Sequence, residues 1–348
     1  MKISYLLSRY VSHLKAGTEY VRSLRSLGVE MVSDLEAADV VILHDEPPSY
    51  PLYFQQFPVL RKKYTIAYAV WEADILPDTY INGLRLVDEI WTCSKFTANI
   101  LLKYFENVHK VPHVVPTYDV GQADLENLRK LIKYDPNGFY FYTITDTINP
   151  RKNLLATVDS FLKVLSASHR KVYLVIKQYR KALPYLSTLP NVISVDHDLE
   201  DSAIQALHAI CDCYISSHCA EAWGLSISDA MSFGNLVVAT GYSGNMEYMR
   251  DDNSYPVRYE LRPIKEEDRR FQPTLLDPRM HWAYIDTRDL TRKMLYCLAA
   301  NNHTELQQNA KRIAVEYSHA NIAHTMMRRL TSISEALVPP KIHIRLSQ

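Results

Sequence analysis

Glycine is scarce in this chain, with nine glycines among 348 residues. Average usage of about 7% would give roughly 24. Four of the nine fall in the 21 residues from Gly224 to Gly244. Because glycine serves where the backbone must bend or come close to another group, the sequence predicts a functional site in this window.

The chain also lacks net charge, long apolar runs and abundant cysteine. Its 39 basic residues balance 39 acidic ones, which argues against a nucleic-acid partner. No stretch reaches the 18 or so apolar residues of a membrane span, and "MKISYLLSRY" has no signal-peptide features. Five cysteines fit the reduced thiols of a cytosolic protein. We therefore expect a cytoplasmic protein with at most peripheral membrane association.

Two local patterns resemble metal sites, and neither predicts one. Cys211, Cys213 and Cys219 lie near His218, but their spacing matches no standard zinc pattern, so we expect structural thiols. "VDHD" (195–198) contains a D-x-D run, but it precedes a predicted helix and favours helix capping. We predict no metal site.

Short β-rich runs alternate with helical patterns along most of the chain. Such alternation predicts parallel sheets covered by helices on both faces. Ser94 is predicted to cap the helix that follows it. The predicted strands cover residues 3–7, 39–43, 65–70, 89–93, 108–115, 139–145, 171–176, 213–216 and 236–240.

The length predicts roughly two domains, and the polar segment 116–138 is the predicted linker. We expect a Rossmann-like domain over residues 1–133 and a second one over 134–317. From residue 286 to about 337 the pattern is helical, in three segments. Residues 318–348 are expected to form a C-terminal helix and tail that return to the first domain.

Polar side chains follow several of the predicted strands. Ligands of open parallel sheets bind beyond the carboxyl ends of the strands, and two domains facing each other would bring these ends into one cleft. The turn "GYSGN" follows the last strand. The charged and aromatic residues at such positions are Trp71, Glu72, Arg151, Lys152, Lys177 and Glu221.

The stretch "EAWGLSISDAM" places Glu221 eight residues before Asp229, with Gly224 between them. Helix N-termini and cations bind anions such as a diphosphate, and a carboxylate can hold the vicinal hydroxyls of a sugar. The combination predicts a nucleotide-sugar site. Simpler interpretations are that Asp229 offsets a helix dipole, that the cations are solvated, and that Glu72 is a structural loop residue.

Other nucleotide and hydrolase motifs are missing from the sequence. No G-x-G-x-x-G follows the first strand and no Walker A motif occurs, which argues against a dehydrogenase and an NTPase. "GYSGN" does not fit G-x-S-x-G, so a hydrolase elbow is not predicted.

One segment, "SSHCAEAWGLSISDAMSFGNLVVATGYSGNMEYM" (216–249), resembles the signature of glycosyltransferase family 4, which comprises retaining enzymes with the GT-B fold. "PRKNLLATVDSF" (150–161) resembles the Lys–Asn segment of that family. "WEADILP" (71–77) and "DEIWTCSKFTANIL" (88–101) resemble the first domain of a bacterial surface-polysaccharide subgroup. The resemblance implies two Rossmann-like, doubly wound α/β domains facing across a cleft, with C-terminal helices. The first would bind the acceptor and the second the donor.

The resemblance also implies a role for each matching residue. Glu221 would hold the donor sugar, Asp229 the ribose, and Arg151 and Lys152 the phosphates, with Lys177 at the same nucleotide site. The backbone near the diphosphate would be that of Ala222, Trp223, Gly224 and Leu225. The other side of the donor would meet Ser243, Gly244 and Asn245.

This chain departs from the family pattern at four places. Asp229 stands where the family mostly has Glu, and Thr147 where it has Arg, so Arg151 is expected to substitute. Glu72 stands in place of the histidine often found beside the reacting centre. The usual N-terminal Gly-Gly loop is reduced to "AGT" around Gly17.

These features together predict a retaining glycosyltransferase. It would move a hexose-type sugar from a UDP- or GDP-linked donor to the hydroxyl of a glycan or lipid-linked acceptor, without an obligatory cofactor. Two alternatives stay open: a non-catalytic nucleotide-sugar-binding scaffold and a GT-B-fold epimerase. Binding of a nucleotide sugar without release of nucleoside diphosphate would favour the scaffold.

Overall fold

The computed structural model describes residues 1–299 and 303–337, and the first part of this chain forms a six-stranded parallel sheet. Its strand order is β2-β1-β3-β4-β5-β6. The strands β1 to β6 are Lys2–Leu7, Glu30–Met31, Val40–His44, Tyr64–Tyr68, Glu89–Thr92 and Val108–Lys110.

Helices cover both faces of this first sheet. Every residue of β3 is buried, as expected for a continuous apolar run in a sheet covered on both sides. Ser94 caps α4 as predicted, because its hydroxyl accepts from the Thr97 N–H at 3.3 Å. Helices α1 to α4 are Val11–Ser26, Tyr50–Gln56, Asp78–Leu84 and Lys95–Leu101.

A second six-stranded parallel sheet follows, with the order β12-β11-β10-β7-β8-β9. Helices α6 (Leu154–Ala167), α7 (Asp201–Ile210) and α8 (Leu225–Phe233) connect its strands. The predicted two-sheet, doubly wound α/β architecture is therefore confirmed. Strands β7 to β12 are Phe139–Asp146, Val172–Tyr179, Val192–Val195, Cys213–Ser216, Leu236–Thr240 and Tyr255–Val257.

Several predicted boundaries were wrong. The segment predicted as a polar linker contains helix α5, Gln122–Leu131. The helix was not predicted because most of its residues are polar and only Leu128 is buried. Strand β9, Val192–Val195, was missed. Strands β13 (Tyr259–Pro263) and β14 (His281–Ile285) form an antiparallel pair that no sequence pattern predicted.

Within the described residues after β14 there are four helices rather than the three predicted, because the short α12 spans four residues of its own. They follow the short helix α9, Glu266–Arg269. Helix α13 packs against α1 of the first sheet. Helices α10 to α13 are Thr287–Ala299, Thr304–Lys311, Ile313–Glu316 and His319–Leu337.

A buried ion pair joins α13 to the first sheet. Arg329 donates from Nε and from a terminal nitrogen to the two carboxylate oxygens of Glu89 in β5, each at 2.7 Å. Glu89 is 1% exposed. We propose that the domains divide near residue 133 and that the segment from residue 318 belongs with the first domain. The tail predicted beyond residue 337 lies outside the described residues.

Candidate functional site

The carboxyl ends of the two sheets face each other, and ion pairs connect them. Arg151, which follows β7, lies 3.1 Å from Glu72, which follows β4. Lys15 of α1 lies 3.4 Å from Asp229 of α8. The strand-end residues of both sheets therefore meet in one cleft.

Glu221 stands at the centre of this cluster, in the loop between β10 and α8. Its carboxylate bonds to the Lys152 ammonium and lies 3.2 Å from the Arg151 guanidinium. Burial alone would raise the pKa of Glu221, but Lys152 and Arg151 outweigh it and hold the pKa below its usual range. The carboxylate is therefore ionised at any pH at which the protein works.

A short 3₁₀ turn, Pro150–Lys152, positions the two cations. The Asn149 side chain accepts from the Arg151 N–H at 3.1 Å, and the Cys219 N–H donates to the Arg151 carbonyl at 2.7 Å. The Arg151 guanidinium also donates to the Ala220 carbonyl at 2.5 Å. The turn is thus tied to the loop that carries Glu221, which fixes the spacing of cations and carboxylate.

The glycine-rich window shapes this loop. Gly224 adopts φ +87° at the start of α8, a left-handed conformation that glycine tolerates best. A Cβ on Gly244 would lie 1.7 Å from the Ala222 carbonyl oxygen, so only glycine fits against the loop. The window therefore brings the "GYSGN" turn directly behind residues 221–224.

Ser243 and Asn245 support the loop from behind. The Ser243 hydroxyl accepts from the Glu221 N–H at 2.8 Å. The Asn245 amide donates to Thr240 O at 2.9 Å, and its oxygen lies 3.0 Å from Nε2 of His218. Asn245 is fully buried. The Ser243 hydroxyl thus holds the backbone of Glu221, and Asn245 is bonded behind the same loop. Contact of residues 243–245 with the other side of a donor stays a prediction.

The backbone predicted to lie near a diphosphate is the turn that opens α8. Ala222 and Trp223 are buried, and Leu225 and Gly224 are half-buried. The Tyr248 hydroxyl donates toward the Trp223 and Gly224 carbonyls, at 2.8 and 2.9 Å. These bonds engage the carbonyls of the turn. The N–H groups of the first turn of a helix have no intrahelical partner.

Asp229 lies one turn inside α8 and is 6% exposed. Burial raises its pKa, and Lys15 opposes that shift. Asp229 in turn raises the pKa of Lys15. Lys15 had no signal in the sequence, because its position beside Asp229 depends on how the two sheets face each other.

Lys177 and Gly17 do not lie where the sequence placed them. Strand β8 continues to Tyr179, so Lys177 lies within the strand, fully buried, and its ammonium donates to the Gln178 carbonyl at 2.6 Å. Burial lowers the pKa of Lys177. Gly17 lies inside α1, buried beside Leu7 and His44. The predicted glycine loop is therefore a helix.

"VDHD" was wrongly predicted to cap a helix. The residue before α7 is Glu200, and no side chain caps that helix. Instead, Asp196, His197 and Asp198 line a cavity of about 260 Å³ at the ends of β8 and β9. Arg180 lines the same cavity and lies 3.2 Å from Asp146.

The five cysteines are free and buried. In residues 1–299 and 303–337, no group of three or more His, Cys, Asp or Glu side chains is arranged to hold a metal ion. No helix in that part of the chain has both the length and the apolar character of a membrane span.

Two acidic residues and a histidine on the first-sheet side were missed. Asp45 and Glu46 directly follow β3, and His13 lies in the first turns of α1. The rule that ligands bind beyond the carboxyl ends of parallel strands, here called the strand-end rule, would have found both acids if the predicted strand at 39–43 had been followed to its carboxyl end. Glu72 itself lies where predicted, after β4, with its side chain 28% exposed.

Residues 135–256 match the sequence model of a family described as glycosyl transferases group 1. This segment contains strands β7 to β11 and the start of β12, together with Arg151, Lys152, Glu221 and Asp229. No curated protein sequence matches the chain.

Solved structures share the fold at low sequence identity. HepE of Anabaena, in complex with UDP and glucose, is 14% identical with a TM-score of 0.67, over 95% of this chain and 100% of that one. WaaG, a glycosyltransferase involved in lipopolysaccharide biosynthesis, is 10% identical with a TM-score of 0.63, over 95% and 100%. The pneumococcal O-GlcNAc transferase GtfA, in complex with UDP and GlcNAc, is 11% identical with a TM-score of 0.61, over 92% and 60%.

The predicted GT-B arrangement is thus confirmed at the level of the fold. The family match covers the sheet that carries the central carboxylate and both of its cations. Residues 135–256 match the glycosyl transferases group 1 model, and the chain shares its fold with solved glycosyltransferase structures.

Proposed function

We propose that this protein is a retaining enzyme that transfers a hexose-type sugar from a nucleoside-diphosphate sugar to an acceptor hydroxyl. One observation carries the proposal: Glu221 is held between Lys152 and Arg151 beside the opening turn of α8. Cations and free helix N–H groups suit a diphosphate. The carboxylate suits the hydroxyls of the transferred sugar.

Transfer needs little chemistry from side chains. The bond between the anomeric carbon and the phosphate oxygen breaks, and its electron pair leaves with the diphosphate. The acceptor oxygen bonds to the same face of the anomeric carbon and gives its proton to the departing phosphate. Lys152, Arg151 and the first N–H groups of α8 stabilise the charge that develops on the leaving group.

Asp229 is proposed to bind the ribose, with Lys15 as a partner from the opposite domain. Lys15 already lies 3.4 Å from this carboxylate, and a ribose hydroxyl would add to or displace that contact. Glu72 is proposed to face the acceptor, because it stands on the first-sheet side, 3.1 Å from Arg151.

The donor is proposed to be a UDP-sugar. UDP is named with the structures of HepE and GtfA, and a GDP-sugar has no such support. The acceptor is proposed to be a glycan or a lipid-linked glycan of the bacterial surface, handled at the cytoplasmic side. The sequence segments at 71–77 and 88–101 and the fold shared with WaaG support that class.

The test is release of nucleoside diphosphate from UDP-glucose, UDP-GlcNAc and GDP-mannose, with and without glycoside acceptors. We expect release from a UDP-sugar, a rise with acceptor, and no loss after treatment with EDTA. Lys152→Ala should lower turnover about 100-fold, as for loss of one charge-stabilising donor.

Lys171→Ala is the matched control. Lys171 lies at the amino end of β8, away from the cleft at the carboxyl ends, and pairs there with Asp135 at 3.0 Å. Equal turnover in the two lysine variants would contradict the assignment. Binding without release would favour the scaffold. Release with an altered free sugar and no glycoside product would favour the epimerase.

A further inference from the structure

We infer that Glu46, bonded to Tyr80 and lying beside His13, is an acceptor-binding carboxylate, and that it selects an uncharged sugar as the acceptor. This inference rests on the proposed glycosyltransferase function and deepens it. It assigns the other half of the cleft, the half formed by the first sheet.

Glu46 lies in the turn after β3, at the carboxyl end of the sheet. The Tyr80 hydroxyl of α3 bonds to Oε2 of its carboxylate. Oε1 lies 3.5 Å from Nε2 of His13, longer than the roughly 2.7–3.2 Å typical of an N–H···O hydrogen bond. One oxygen is therefore fixed by the protein, and the other remains free to accept from a hydroxyl.

The Glu46 side chain is accessible to solvent, whereas the His13 ring beside it is buried. The Glu46 side chain is 43% exposed. His13 is 6% exposed, and its Nδ1 has no hydrogen-bond partner within the described part of the chain. A buried ring nitrogen without a partner is rare in a structural site. Nε2, the other ring nitrogen of His13, is the one that faces Glu46.

Two charged groups of the cleft act on the Glu46 carboxylate. Arg151 and Glu72 both shift its pKa, Arg151 downward and Glu72 upward. Asp45, which precedes Glu46, also raises the pKa of Glu46. The Asp45 carboxylate itself accepts from the Tyr53 hydroxyl at 2.7 Å. Glu46 is therefore the carboxylate of this turn with an oxygen to offer.

Charge also fixes the class of acceptor. Asp45, Glu46 and Glu72 stand together on this side, and Arg151 is already shared between Glu72 and Glu221. A sugar that carries a carboxylate or phosphate at this position would meet like charges, which disfavours binding. A neutral sugar can donate its hydroxyls to Glu46. His13 is a positioning residue that orients Oε1.

The groups that face Glu46 also give the inference a pH signature. They are His13 of α1, Asp45, Glu72, Tyr80 of α3 and Arg151. Burial, the largest cause, raises the pKa of Glu46 to about 7. The ionised form is the stronger hydrogen-bond acceptor, so acceptor use should rise as pH passes through about 7.

The experiment compares wild type with Glu46→Gln, using UDP-glucose as donor and p-nitrophenyl hexosides or p-nitrophenyl glucuronide as acceptors. Glu46→Gln should lower kcat/KM for the hexoside about 10- to 100-fold, as for loss of a charged hydrogen bond. It should also abolish the rise near pH 7. Hydrolysis of the donor without acceptor and the affinity for UDP should stay within about threefold. The glucuronide should not act as an acceptor.

Glu106→Gln is the matched control, because Glu106 is an exposed carboxylate of the same domain. For Glu46→Gln, an equal loss of hydrolysis and transfer, or an unchanged pH profile, would overturn the inference. For the wild type, the inference would be overturned if no hexoside raised UDP release, or if the glucuronide served as well as the hexoside. His13→Asn should lower kcat/KM for the hexoside and shift its pH midpoint; an unshifted midpoint would remove His13 from its role. A wild type that neither binds UDP nor hydrolyses any donor would instead refute the proposed function itself.

Discussion

At the scale of single residues, the cleft is a set of opposed charges held by short loops. Arg151 joins Glu221 to Glu72, and burial would lower its pKa, but these two acids raise it above its usual range. The strand-end rule pointed to Arg151, Glu221 and Glu72 because each lies a few residues after a predicted strand. It misplaced Lys177 because β8 runs three residues beyond the predicted end.

Asp229 and Glu221 should separate nucleotide binding from sugar transfer. Asp229→Asn should weaken UDP binding about tenfold, because it removes a charge proposed to bind ribose and to pair with Lys15. Glu221→Gln should leave UDP affinity within about threefold and lower turnover about 100-fold. Calorimetric titration with UDP, together with initial rates, measures both. An equal loss of UDP affinity in the two variants would contradict the assignment.

At the scale of elements, the sequence predicted the long buried strands and most helices, and it failed where the pattern was short or polar. Strand β13 is exposed along its whole length, so no apolar face marks it in the sequence. Helix α5 was hidden because its exposed faces resemble a linker. Helix α13 was predicted, but its bond to Glu89 was not, since 240 residues separate the partners.

The bond between α13 and β5 should contribute measurably to stability. Arg329→Met would leave Glu89 buried without its cation, and loss of one partner of a buried ion pair costs about 3 kcal/mol. Tyr64 and Trp91 still donate to Glu89, so the fold should survive. Urea unfolding measures the change.

Arg328→Met is the control for this test, because Arg328 is exposed on the same helix. We expect a change within about 0.5 kcal/mol for it. If both variants unfold at the same urea concentration, the pair does not hold the helix to the sheet.

At the scale of the whole molecule, the site exists only because two sheets face each other. Two ion pairs cross between them: Lys15 with Asp229, and Arg151 with Glu72. His281 of β14 adds a contact to Asp74, which follows β4, at 3.0 Å. A sequence read one element at a time gives the two halves of the cleft. It does not give the contacts across the cleft, so Lys15 and His13 emerged only from the folded arrangement.

The most direct test of the account is the structure of crystals soaked with UDP. The account predicts diphosphate oxygens within about 3.5 Å of the Lys152 ammonium and the Arg151 guanidinium, beside the first N–H groups of α8, with the ribose hydroxyls on Asp229. A diphosphate bound elsewhere, with Lys152 and Arg151 still paired only to Glu221, would contradict it.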